Sequence, residues 1–244
     1  MPTDAGRRLA DQALHLLTAY DEAIGDATGA AKELRGLVRC TAPLVFGREH
    51  VAPLVAEFLD EFPAISVDLH LADRVLDLHE ESFDLALRIG RVSDTSLIQR
   101  SLGHVRRVTV ASPGYLEAKG CPQVPDDLGS HDIVQHTGHG TSTPWLMTDA
   151  NGKSLLVNLT ARFAVNQADA AIGAARRGRG IVNALSYQVD PDVRAGHLIR
   201  ILTQFEPERL PVALVWSASR HPIRRVRALI DFLAAGLRSL PVLG

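Results

Sequence analysis

The sequence predicts a two-lobed α/β protein, each lobe a mostly parallel sheet flanked by helices, preceded by a long helix. Three observations lead there. From Leu37 onward, apolar residues alternate between the period of a strand and that of a helix. Beyond Pro113 the pattern is broken by Pro122, Pro125, Gly129, Gly138, Gly140 and Pro144 before strand–helix alternation resumes, so a middle segment reads as a second lobe inserted into the first. Ahead of Leu37 the apolar spacing is that of a heptad. The 244 residues, 46% apolar and 22% charged, suffice to bury such cores.

Residues 3–33 read as helix, with Thr3 or Asp4 as cap and Gly36 near its end. Leu9, Ala13, Leu16, Tyr20, Ala23, Ala27 and Ala30 make a seam suited to pairing with a second copy. The alternative is an amphipathic helix lying on its own domain, because Leu14 and Leu17 widen the apolar face. Residues 37–42 follow as a strand and 43–47 as a turn. A helix marked by Val51, Leu54, Val55, Phe58, Leu59 and Phe62 then runs to Pro63. Strands are expected at 66–71, 83–89, 97–102 and 105–111, with a short helix at 76–81.

In the middle segment, strands are expected near 133–136 and 155–159, then a helix at 167–177 closed by Gly178, and strands at 181–185 and 198–202. A strand at 211–217 and a helix at 222–237 complete the chain, with Pro222 suited to a first helical position. The implied organisation is a linker helix at 1–35, a first lobe at 36–111 and 204–244, and a second lobe at 112–203.

Composition narrows the function. Lys plus Arg is 26 against 28 for Asp plus Glu, and the net charge of −2 argues against strong autonomous nucleic-acid binding. Cys40 and Cys121 form neither a CxxC pair nor a disulfide framework, which points to a reducing, cytoplasmic setting. The N-terminal residues do not read as a signal peptide, and no run approaches the roughly 20 apolar residues of a membrane span. No GxSxG, Walker loop, HExxH or GxGxxG occurs, so no catalytic role, cofactor or metal is expected. His131, His136 and His139 near Asp132 fit no zinc-site spacing. Arg176, Arg177 and Arg179 read as the compensated end of a helix, and Arg224, Arg225 and Arg227 as a solvated helix face.

The segment Pro43-Leu44-Val45-Phe46-Gly47-Arg48 carries most physical content. A strand ends and a helix begins there, so backbone N–H groups are left without helical partners and favour an anionic or polar group. The helix starting at Gln167, with Asn166 beside it, offers a similar terminus from the other lobe. Two such ends facing a cleft would hold a small carboxylate or similar solute.

The runs TDAGRRLADQALHLL, LRGLVRCTAPLVFGREHVAPLVAEFLDEFP, VDLHLADRVLDLHEESFDLALRIGRVSDTSLIQRSLG, VRRVTVASPGYLEAKG, ARRGRGI and AGHLIRIL together resemble LysR-type transcriptional regulators over essentially the whole chain. The resemblance implies an effector-binding domain of periplasmic-binding-protein type. In the family this domain follows a winged helix-turn-helix, the reader through which DNA is bound, and that reader is not among these residues. It further implies self-association through the linker helix and effector domain. Effector contacts are expected from Val45, Phe46, Gly47 and Arg48, from Arg88 and Gly90, and from Gln135, Asn166, Gln167 and Asn183. Val45 stands where many relatives carry a hydroxyl. Asn183 interrupts an apolar strand and needs either a ligand or a local partner. The alternative function is a solute-binding protein without a regulatory role.

Overall fold

The computed structural model describes residues 34–244, apart from 79, 138–143, 150 and 219–221, together with Thr3, Gly6 and Ala13. Of the heptad seam only Ala13 is therefore described, helical and exposed. Leu9, Leu16, Tyr20, Ala23, Ala27 and Ala30 lie outside the described residues, as does His139.

Strands β1 (Gly36–Ala42), β2 (Ile65–Leu71), β3 (Leu85–Ile89), β4 (Leu97–Val105) and β12 (Leu210–Ser217) build the first lobe's sheet in the order β2-β1-β3-β12-β4. β5 (Arg107–Ala111), β6 (Ile133–His136), β9 (Ala161–Val165), β10 (Ile181–Leu185) and β11 (Ile199–Ile201) build the second in the order β11-β5-β10-β6-β9. A hairpin of β7 (Trp145–Thr148) and β8 (Ser154–Val157) stands apart from both.

Both sheets are mixed. β1 pairs parallel with β2 and β3, and β6 with β9 and β10, but β12 and β5 each run antiparallel to both neighbours. The antiparallel strands adjoin the points where the chain changes lobe, since a strand that enters directly from the other lobe is free of the crossover helix that parallel pairing requires. The first change falls at Arg106, between β4 and β5, and not near Ala111 as the sequence suggested. β5 belongs wholly to the second sheet.

The first lobe's core forms where Val38 and Cys40 of β1, Leu85 and Leu87 of β3, and Val212 and Leu214 of β12 meet two helices. One is α2 (Ala52–Glu61), through Val55 and Phe58. The other is the C-terminal helix α6 (Arg224–Arg238), whose Val226, Leu229, Ile230, Leu233 and Leu237 recur at helical spacing on one face. Burial, helped by Asp68 and Asp84, pushes the Cys40 thiol up to about 12, which suits an inert core thiol. In the second lobe α4 (Ala168–Arg176) lays Ala171, Ile172 and Ala175 on Val108, Val110, Val134 and Val182.

Several local expectations are revised. The helix after β1 starts four residues early: α1 (Leu44–Phe46) runs through a π-helical stretch, Gly47–Val51, into α2. The wider turn has a cause in Pro53, which lacks an N–H and whose ring would strike the carbonyl four residues back in a regular α-helix. No helix forms among the described residues between 76 and 81: Leu78, Glu80 and Glu81 lie in turns, and the Asp77 carboxylate takes the Glu80 N–H at 3.0 Å. Helix α6 begins at Arg224 with Ile223 as its cap, so Pro222 precedes the helix. Arg225 is not on a solvated face: it is 1% exposed and donates to the Leu37 carbonyl at 3.0 Å. The sequence reading omitted α3 (Pro113–Lys119), α5 (Ser186–Arg194), β7 and β9, and β8 ends two residues short of the expected strand.

Candidate functional site

The ends of β1, β3, β6 and β10 and the loops that follow β2 and β3 border a cavity of about 620 Å³ between the lobes. Several of these ends are carboxyl ends, where ligands of α/β folds collect. The first lobe contributes Thr41, Asp73, Val75, Arg88 and Gly90, and the second Arg107, Gln135, His136 and Asn183. The β7–β8 hairpin closes one side with Trp145, Leu146 and Leu156.

The structure thus brings Arg88, Gly90, Gln135 and Asn183 around one cavity. It does not bring Val45, Phe46, Gly47, Arg48, Asn166 or Gln167 to that wall. Val45 and Phe46 are buried in the first lobe's core, and Gly47 is packed so closely that a Cβ there would lie 2.3 Å from a Leu71 methyl. Asn166 and Gln167 are exposed.

The reason lies at the start of α1. Its N-terminus is already filled by the protein. The Leu44 N–H donates to Asp73 Oδ1 at 3.0 Å, and the Phe46 backbone hydrogen-bonds Tyr187, whose phenol burial raises well above its ordinary range. This end of the cleft is an interface between lobes. The Phe46 and Tyr187 rings meet edge to face at 5.2 Å, and Arg48 pairs with Asp169 of α4 at 2.7 Å. His136 Nε2 of the second lobe lies 3.7 Å from Asp73 Oδ2 of the first.

Inside the cavity, Gln135 accepts from Trp145 Nε1 at 2.7 Å and so pins the hairpin to β6. Asn183 has local partners: its Oδ1 accepts from Arg107 at 3.3 Å and its Nδ2 donates to Thr109 Oγ1 at 3.2 Å. Arg88 donates to the Leu76 carbonyl at 3.0 Å. Arg107 escaped the sequence reading because a single arginine beginning an apolar strand has no distinguishing pattern. The odd polar residue Asn183, two strand positions into β10, was the available pointer to it. His131 bonds Tyr115 at 3.2 Å while His136 faces Asp73, so these imidazoles diverge, and among the described residues no group of three candidate metal ligands converges.

Residues 31–238 match the family described as LysR substrate binding domain. The chain is 30% identical over 233 residues to an HTH-type transcriptional regulator of Haemophilus influenzae, covering 95% of this chain and 81% of that one. It is likewise 30% identical to the HTH-type transcriptional activator TtdR of Escherichia coli strain UTI89, over 96% of this chain and 75% of the relative. Among solved structures, the regulatory domain of CrgA, a LysR-type transcriptional regulator from Neisseria meningitidis, is similar with a TM-score of 0.72 at 28% identity, covering 84% of this chain and 100% of that one. The full-length virulence activator AphB of Vibrio cholerae shares the fold, with a TM-score of 0.74 at 24% identity over 96% of this chain and 79% of its own.

Proposed function

Because the chain belongs to the LysR-type transcriptional regulators and carries their effector-binding domain, we propose that its effector binds in the cavity between the lobes and shifts the balance of lobe and subunit arrangements. The observation that supports this is the enclosure of one cavity by polar groups from both lobes: Arg88 and Gly90 from one, Arg107, Gln135 and Asn183 from the other. A ligand touching both lobes binds with different affinity when they rotate, which is the condition for shifting a population. Self-association through the helix at 1–35 would carry that shift to paired DNA readers of the family's winged helix-turn-helix type, acting in the cytoplasm. Solute binding without regulation is disfavoured by the regulator family itself.

The experiment is a thermal-shift screen of small acids, amides, amino acids and sugars. At one hundred times its dissociation constant a ligand adds about 2.7 kcal/mol of stability. At roughly 2–4 °C per kcal/mol this raises Tm by about 5–10 °C. Leu156→Trp, made at an exposed position of the hairpin, fills the cleft and abolishes the shift without lowering the ligand-free Tm. A hit whose shift survives Leu156→Trp places the ligand elsewhere and overturns the reading.

A further inference from the structure

We infer that the effector is a carboxylic acid with an apolar body, its carboxylate held by Arg107 and its body lying between Val75 and the β7–β8 hairpin. The inference rests on the reading that the interlobe cavity is the effector site.

Many arginines of this chain are paired with a carboxylate, and Arg107, which lines the cavity, is not one of them. Arg48, Arg74, Arg91, Arg106, Arg162 and Arg176 each lie within 4.0 Å of a carboxylate. Arg107 lies within that distance of none among the described residues. Its bonding partner is the neutral Asn183 amide. Burial lowers its guanidinium pKa, with no acidic neighbour to offset the desolvation. A guanidinium has several N–H donors in a planar fork matched to a carboxylate, and here they line a cavity. Thr109 holds Asn183, and Asn183 holds Arg107, so the fork is oriented before a ligand arrives. Arg88, bonded to a backbone carbonyl, adds a second positive charge to the same cavity.

The apolar half of the ligand is read from the rim. Val75 and Leu156 are the two most exposed large apolar residues described, at 70% and 63%, and they line this one cavity from opposite lobes. Leu146, at 37%, lies beside Leu156 on the hairpin. Exposed apolar side chains gathered around a polar interior mark a surface that is covered by something apolar.

The probes are hexanoate, octanoate and benzoate against hexanamide, octanamide and benzamide, measured by calorimetry and thermal shift on the full chain. The acids bind, with affinity rising about fourfold per added methylene, while each amide binds at least tenfold more weakly. Arg107→Met weakens acid binding by about 30-fold or more. Arg107→Lys keeps the preference for acid over amide, which separates charge from packing. Asn183→Asp gives Arg107 a carboxylate of its own, so the ligand-free Tm rises while acid binding is lost. A purely structural role for Asn183 would lower both together.

Amides binding as well as acids, or acid binding unchanged in Arg107→Met yet lost in Leu156→Trp, overturns the ligand class and leaves the cavity as the site. Acid binding that survives both substitutions overturns the cavity as well. Absence of binding by every acid at millimolar concentration also overturns the class.

Discussion

Asp73 shows how one side chain redirects a site. The start of α1 has the orphan N–H groups that suit an anion, but Asp73 supplies that anion from within the chain. The positive charge lining the cavity is carried instead by Arg107 and Arg88 on strands. Gly180 shows the same dependence on a single residue in the backbone. Its φ is +138°, and a Cβ there would stand 2.3 Å from the Asp132 carbonyl oxygen. Gly180→Ala must therefore both adopt a strained backbone and push β10 away from the residue before β6. A loss of about 3 kcal/mol is expected by urea denaturation, combining strain and overpacking. A loss under about 0.5 kcal/mol, the size of an ordinary surface change, would show that the contact relaxes freely. At this scale the sequence was partly legible. Asn183 stood out because polar groups in apolar strands need partners, whereas Arg107 and Asp73 did not. Their roles depend on residues 76 and 29 positions away, a separation that spacing patterns do not reach.

Among the elements, the junction of α1 with α5 and α4 decides how firmly the lobes are joined. Two contacts compete for that role. The Arg48–Asp169 pair is half exposed on both sides, and such pairs contribute about 0–1 kcal/mol. Phe46 is fully buried, with its ring against both Tyr187 and His50. Phe46→Ala is expected to cost about 3–5 kcal/mol and to lower Tm sharply, whereas Arg48→Ala costs less than about 1 kcal/mol. Equal small losses in both would show the junction to be loosely packed. This corrects the view of Phe46 as a side chain on an open cleft wall. The sequence could not make that distinction, since an apolar residue at a strand–helix turn fits either surface. Long elements with one periodic face, such as α6, were legible except at their first residues, where Pro222 and Arg225 were misread. α5 was not, because its Pro191 and only two buried side chains, Tyr187 and Val189, leave no periodic signal. The β7–β8 hairpin was obscured for a related reason: each strand has four residues, too few to establish alternation.

Across the whole molecule, the two-lobe plan was legible because strand–helix alternation is broken beyond Pro113 and then resumes. The first crossing was misplaced because β4 and β5 are separated by Arg106 alone, so no turn-rich stretch announces it. The insertion has a mechanical consequence. β1 and the C-terminal residues both belong to the first lobe, where Leu243 lies against Gly103 of β4. Tension applied between Gly36 and Gly244 is therefore borne by the first sheet, while the second lobe hangs as a closed loop outside the load path. In an optical trap the first lobe should rupture first, and only then should the second feel force and extend. A disulfide joining β4 to β12 at the facing positions Ile98 and Trp216 would keep that loop closed. The extension released by all the chain between the two cysteines should then vanish from the trace. If it persists, tension reaches the second lobe by another route. A regulator built this way can be pulled at its ends without deforming the half of its pocket that Arg107 and Asn183 occupy.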